Sequence, residues 1–507
     1  MKKINIYTRR LVLGLAVVLL SCENSDEFLT RVNPNTITPD SFWQTEDDVD
    51  KWLTAAYSTF VFGDGASNAN FARFFAWASV YRSDEYRSNF GNPWGQANAE
   101  FTLDATNPVV RVLWRSFYRT IFRANNVIEQ VPLMESLNDQ KKNELIGEAE
   151  FLRGLSYFYL VNLWESVPLI TNVPVSEEEF FPSQASRDQV WAQVITDLTN
   201  AKSHLNAVRT RDGADLGRAT WGAAIGHLGK AYLYLGQWQN AADEFSELIA
   251  SNIYDLVPNF RDNCNDLNEN NIESIFEAQI NDAVSTSYST WRSRDGGPRI
   301  FAANHGVVEP WLVQTFLEET TLGDEVDPRA HATLIFPHPD NTLYGGITYE
   351  EAYGTLASDA PAYWKKYRNV ETRANDNNGF QSGINIRLMR LGDVLLMHAE
   401  AENEANGPTA LAQASFNRVR DRADMAAVNT AISKDDFRTA IRRERVLELS
   451  GEENRWMDLN RWGILEARFN DPMVLSGQNF NIAKHQYYPI PASEIENNPS
   501  LDQYADY

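Results

Sequence analysis

The spacing of residues 228–245 constrains this chain more than any other feature. Leu228, Gly229, Tyr232, Gly236, Trp238, Ala241 and Phe245 fall at the offsets of the tetratricopeptide pattern L-G-x2-Y…A-x3-F. The small residues let two antiparallel helices approach closely, Tyr232 and Phe245 fill the seam, and Gly236 supplies the turn. One such pair cannot bury its apolar face alone, so the chain is expected to stack several.

Two further stretches fit that expectation. Leu145, Ala149, Leu152, Ser156, Tyr159 and Leu163 share one face of a helix, while Phe151, Leu155, Phe158 and Val161 fill its other sides. That helix should be buried nearly all round and should stop at Pro168. Leu388, Leu391, Leu395 and His398 form another stripe, faced by Ala412, Phe416, Val419 and Ala423. Between those stripes, Gly407-Pro408 should open the second helix, with Pro in its first turn. Residues 255–385 are less periodic. Ser274–Ala278 reads as a short strand, and the remainder reads as long loops, where function concentrates.

The N-terminus has the three parts of a secretory signal. Lys2, Lys3, Arg9 and Arg10 precede the apolar run Leu11–Leu20, which is too short to span a bilayer. Leu19-Leu20-Ser21-Cys22 looks like a lipobox, with a small residue before the cut and a thiol to take diacylglycerol. Residues 1–21 are therefore expected to be removed, Cys22 to be lipidated, and residues 22–40 to act as a polar tether. Two or more acyl chains suffice for a stable anchor, at about 0.8 kcal/mol per buried CH₂. Loss of the four signal bases takes the formal charge from −24 to −28, which argues against a nucleic-acid binder, since that would need a basic footprint. Cys264 is the only other cysteine, so once Cys22 is acylated the fold must rest on its core.

No motif for hydrolysis or nucleotide chemistry is present: H-E-x-x-H, G-x-S-x-G and G-x-x-x-x-G-K-[ST] are all missing. His331 and His338 lack a metal-ligand spacing. The Asp262–Glu269 loop offers oxygens for a structural calcium but lacks the EF-hand glycine, so a solvated turn is the simpler reading and no cofactor is expected. Glu150 with Arg153, and Arg445 with Glu448, stand at i,i+3, where a pair contributes about 0.2–0.5 kcal/mol. Arg455, Asp458 and Arg461 read as a charge ladder beside Trp456 and Trp462. Aromatic residues make up 12% of the chain, and those in loops beside polar residues are the better ligand candidates. Two clusters meet that description: Asp84, Arg87, Trp94, Gln96 and Asn98, then Tyr288, Trp291, Arg292 and Arg294.

In order behind the lipobox come Trp114–Tyr118 with Arg123–Asn126, Glu148–Arg153, Trp164–Ile170, Gly217–Thr220 and Asn271–Phe276. Arg390–Glu400, Arg443–Arg445 with Glu448-Leu449, Arg455–Gly463 and Tyr488–Pro491 complete the set. In this sequence and order the chain resembles the SusD/RagB family of Bacteroidetes outer-membrane lipoproteins. The resemblance implies a mainly α fold: about four tetratricopeptide-like helix pairs packed on an irregular, loop-rich portion with a few short strands. It implies one domain over 41–507, with a helical-repeat part (41–254) and a C-terminal part (255–507) carrying ligand loops and further helix pairs.

The resemblance also implies a partner, a SusC-like TonB-dependent transporter, and an anchor in the outer membrane facing the exterior. Glu23, Asp26 and Glu27 are similar to the acidic stretch that favours surface export. The expected function is non-enzymatic binding of an oligosaccharide, or of a peptide, for uptake. An all-α glycoside hydrolase and a structural transporter lid are the alternatives. Both aromatic clusters match the family's ligand loops by location and residue type rather than by an aligned motif.

Overall fold

The computed structural model describes residues 42–62, 70–89, 91–281, 295–298, 304–373 and 382–507. Among them, long helices follow one another as spatial neighbours: α1 (Glu46–Phe62), α2 (Pro108–Gln130), α3 (Asp139–Trp164), α4 (Arg187–His204), α5 (Trp221–Tyr234), α6 (Trp238–Ala250), α7 (Leu391–Asn406) and α8 (Ala410–Arg422). Each packs on the next, giving four pairs, and α9 (Lys434–Leu449) lies against α7. The mainly α, repeat-like architecture expected from residues 228–245 is the one observed.

Local chemistry explains where the helices begin. The side chains of Asn107, Asn138 and Thr220 accept N–H groups of Val109, Lys141 and Ala223. Ser186 and Gln189 form a reciprocal capping box on α4, and such caps contribute about 1 kcal/mol each. A Cβ on Gly229 would meet the Phe245 ring at 2.7 Å, so glycine is what lets α5 and α6 close on one another. Gly236, at φ +68°, makes the turn between them. Residues 147–164 of α3 are buried without a break.

Three local expectations are corrected. α3 ends at Trp164, where Glu165 takes φ 64°, so the stop comes before Pro168. Leu388 belongs to a strand, not to the helix of Leu391. Pro408 lies outside α8, because the Thr409 hydroxyl accepts from Ala412 N–H and takes the cap. A hydroxyl that can hold a helical N–H outcompetes a residue that merely lacks one.

Ser274–Ala278 is a strand, as read. It is the second of four strands that bear on the site, and β2 here pairs antiparallel with β4 (Ile386–Arg390). β1 (Tyr86–Ser88) pairs antiparallel with β3 (Gly306–Val308). Phe276 of β2 meets Phe151 of α3 edge-on with centroids 4.8 Å apart, which sets the irregular portion on the helix stack.

The buried charged residues expected to pair along their own helix find most of their partners at long range instead. Glu150 meets His204 Nδ1 at 2.6 Å, and Arg153 forks onto Asp197 at 2.9 and 2.6 Å. Arg445 reaches Asp393 and Asp458, each at 2.8 Å. Glu448 accepts from Arg390 (2.5 Å), Arg422 (2.5 Å) and Arg329 (3.2 Å). Within the expected ladder Arg461 does hold Asp458 at 2.9 Å, while Arg455 turns away to Asp84. A buried charge needs a partner more than an exposed one gains from an i,i+3 neighbour, so tertiary partners prevail. Burial alone would raise the Glu448 carboxyl; Arg422, Arg390 and Arg329 hold it well below the ordinary range.

Candidate functional site

The surface that carries the first aromatic cluster is built on a buried ion pair. Asp295, the residue after Arg294 in sequence, takes two hydrogen bonds from Arg73 at 2.7 and 2.8 Å and one from the Trp77 indole at 3.0 Å. His305 Nδ1 lies 3.1 Å from the same carboxylate. Burial would raise the pKa of Asp295, but Arg73 and His305 bring it down to about 2. The Arg73 guanidinium also sits 4.5 Å from the Trp77 ring centre.

The short helix Pro93–Ala99 lies on top. Asn92 caps it by accepting from Trp94 and Gly95 N–H. A Cβ on Gly95 would stand 3.1 Å from Trp77, so the helix rests directly on that indole. Trp94, 36% exposed, meets Phe74 edge-on at 6.5 Å and offers the rest of its face to solvent. The space among Trp77, Tyr86, Ser88, Gln96 and His305 is only about 10 Å³, room for about one water. This is a shallow rim, suited to a ligand lying across a surface.

The candidates divide by exposure. Trp94 is at the rim. Gln96 is half-buried there, with its amide on Glu100 at 3.2 Å. Arg87 is half-buried in β1 opposite Val307, where its charge bears on Glu309. Asp84 and Asn98 are fully buried. Asp84 is held by Arg455 at 2.7 Å through both oxygens and by Arg468 at 2.8 Å. Burial works against its charge, yet the two arginines keep its carboxyl below the usual range. Asn98 donates to the Trp77 carbonyl at 2.6 Å and accepts from Tyr488 at 2.5 Å. Those two residues support the rim from beneath rather than present themselves at it. Tyr288, Trp291, Arg292 and Arg294 lie outside the described residues, as does Cys22.

Arg73, Trp77, Asp295 and His305 are absent from the sequence reading. One signal was available: a lone arginine inside the aromatic run Phe71-Ala72-Arg73-Phe74-Phe75-Ala76-Trp77 needs a buried acid somewhere.

Each acid of the Asp262–Glu269 loop has one carboxylate oxygen held by protein donors. Asp262 accepts from the Asn259 and Asn265 amides, Asp266 from Asn369 and Thr372, and Glu269 from Asn385 N–H. Burial lifts Glu269 to about 7. His331 and His338 have ring centres 4.9 Å apart, and burial lowers His331 to about 4. Among the described residues, no group of three or more His, Cys, Asp or Glu could hold a metal ion. No described helix is long and apolar enough to cross a membrane.

Four stacked helix pairs carrying a shallow, aromatic-rimmed surface define a helical-repeat protein. Two family models match this chain: one described as starch-binding associating with outer membrane over residues 27–233, and one described as the SusD family over residues 272–507. The chain belongs to the SusD/RagB family. A SusD-like protein of Formosa agariphila is 27% identical, covering 96% of each chain. A SusD superfamily protein of Bacteroides vulgatus has 25% identity and a TM-score of 0.80, covering 92% of this chain and all of that one. A laminarin-binding SusD-like protein has 26% identity and a TM-score of 0.74 over 92% of this chain and all of that one.

Proposed function

We propose that this chain is a non-catalytic surface lipoprotein that binds oligosaccharide and presents it to a SusC-like TonB-dependent transporter in the outer membrane. The observation that carries the reading is the half-exposed Trp94, set on the helix that rests on the Trp77 indole over the Asp295 anchor. A flat indole packs against the C–H face of a sugar ring, and neighbouring amide and guanidinium groups bond its hydroxyls. The laminarin-binding relative supports a glycan as the ligand, and the family description supports the location.

The carboxyls that burial raises most, Glu85 to about 8 and Glu269 to about 7, do not sit where a glycosidase would need an acid. Glu85 is 1% exposed, and its Oε2 accepts Gly451 N–H at 3.1 Å. Glu269 is committed to Asn385. A pair flanking a scissile bond needs two accessible carboxyls, and Glu85 is buried.

The test is binding of laminari- and malto-oligosaccharides by the purified chain, with reducing-end release followed alongside. Binding without release is expected, and Trp94→Ala should lose about 2 kcal/mol, roughly thirty-fold in Kd. Steady release of reducing ends refutes the non-catalytic reading.

A further inference from the structure

We propose a second carbohydrate-binding subsite, for a segment of neutral oligosaccharide, in the groove between α2, the turn at residues 180–182 and the C-terminal segment 494–501. The proposal rests on the function proposed above and adds a place for the ligand away from Trp94. The groove has a volume of about 530 Å³, within the range of small-molecule sites. Trp114 and Tyr118 form part of its lining, one turn apart on α2 with ring centres 5.0 Å apart. Phe180 and Phe181 also line it, 58% and 40% exposed. Two exposed phenyl rings in the lining of one concavity supply the apolar surface that marks a binding site. Arg119 and Asn497 add planar polar groups to the same lining.

The walls are already locked. Arg115 Nε donates to Glu494 at 2.9 Å, which ties α2 to the C-terminal segment. Asn498 donates to the Pro182 carbonyl at 2.9 Å, and Gln184 exchanges two hydrogen bonds with the Asp502 backbone at 2.7 and 3.0 Å. Tyr118 donates to the Pro168 carbonyl at 2.7 Å. Three segments distant in sequence are held in register before anything binds, which removes an ordering cost from binding.

Charge selects the class of occupant. Glu494 offsets Arg115, and a chain of net charge −24 repels anions at long range. A neutral polyhydroxyl ligand fits both facts. Position then suggests a polymer. Asn107, the cap of α2, donates to the Trp94 carbonyl at 3.3 Å, and Tyr118 and Arg119 lie on the order of 17 Å further along the same helix. A chain that reaches both surfaces makes its second contact at high effective concentration.

The experiment is calorimetry on the full chain, purified in detergent, with laminari- and malto-oligosaccharides of two and of about ten units. The long oligomer should bind at least tenfold more tightly than the short one. Phe180→Ala/Phe181→Ala should flatten that ratio with no change in Tm, and Arg119→Gln, separately, should flatten it too. If the ratio survives both variants while Trp94→Ala alone removes all binding, the second subsite is overturned and the proposed function stands. If the variants change only retention by the transporter, the groove meets a protein, and the subsite is likewise overturned. Tighter binding of sulfated or uronate oligomers that depends on Arg119 overturns the neutral class. If the parent chain binds no oligosaccharide, the function and the subsite fall together.

Discussion

Replacing Asp295 by Asn tests the foundation of the candidate site. The carboxyl is held near 2 against an ordinary 3.8, which corresponds to about 2 kcal/mol of stability at neutral pH. The variant also leaves Arg73 buried beside a neutral amide, and breaking a buried pair from one side costs about 3–5 kcal/mol. The expected loss is therefore about 2–5 kcal/mol. A folded chain of this length has an unfolding entropy near Tm of about 1 kcal/mol/K, so Tm should fall by about 2–5 °C at pH 7. The pH dependence carries the sharper signature. Because the folded pKa is depressed, the contribution is complete above about pH 4 and is lost as pH falls toward 2. The gap between parent and variant should close over that window, in thermal melts recorded at stepped pH. A gap that is constant from pH 5 to pH 2, or no gap at all, refutes the assignment. Since Asp295 directly follows Arg294, the variant should also weaken glycan binding at pH 7. Arg73→Met in the same background should recover part of the stability, since two neutral side chains leave no unpaired charge.

Glu448→Gln removes the shared acceptor of Arg390, Arg422 and Arg329 and should lower Tm by about 3–5 °C by calorimetry; a shift under 1 °C would mean the three arginines find other partners. Thr409→Ala should destabilise by about 1 kcal/mol in a denaturant titration, whereas Pro408→Ala should change stability less, because Pro408 lies outside α8; the reverse order would return the cap to Pro408. Cys22→Ala should release the chain from membranes in cell fractionation while leaving glycan affinity unchanged, and a variant that stays membrane-bound without the transporter refutes the acyl anchor.

The helix stack was legible because its signal is local. Gly229 and Phe245, or Leu145 and Leu152, meet through spacings that a helix imposes, so their contacts can be read from the chain itself. The strand Ser274–Ala278 was legible as a strand, but its partner 386–390 was not, since pairing across more than a hundred residues leaves no local trace. The same limit explains the misread charges. Glu448 and Arg445 look like neighbours on one turn, and only the fold reveals that each is buried among better partners from other segments. At the candidate site, Trp94 is exposed at the rim, as its composition and loop context suggest. Asp84 and Asn98 share that context in sequence, and only burial separates a residue that faces a ligand from one that holds up the loop.

That separation would let a shallow surface of the kind proposed be selective. The early loop is fastened from below by partners drawn from the far end of the chain: Asp84 by Arg455 and Arg468, Glu85 by Gly451 N–H, and Asn98 by Tyr488. Arg82, buried between the Trp456 and Tyr488 rings at 4.1 and 3.9 Å, donates to the His485 carbonyl at 2.5 Å. These contacts are directional, so they specify where the loop sits, whereas an apolar foundation of similar area would tolerate sliding. A rim with almost no enclosed volume cannot gain selectivity by shape, so it depends on the placement of a few planar groups, and that placement comes from the polar layer beneath. Exposed rim residues can then change with the ligand while the buried layer stays the same. On this reasoning the early loop has two faces, a buried underside fastened by the fold and an exposed upper side on which substitutions would cost the fold little.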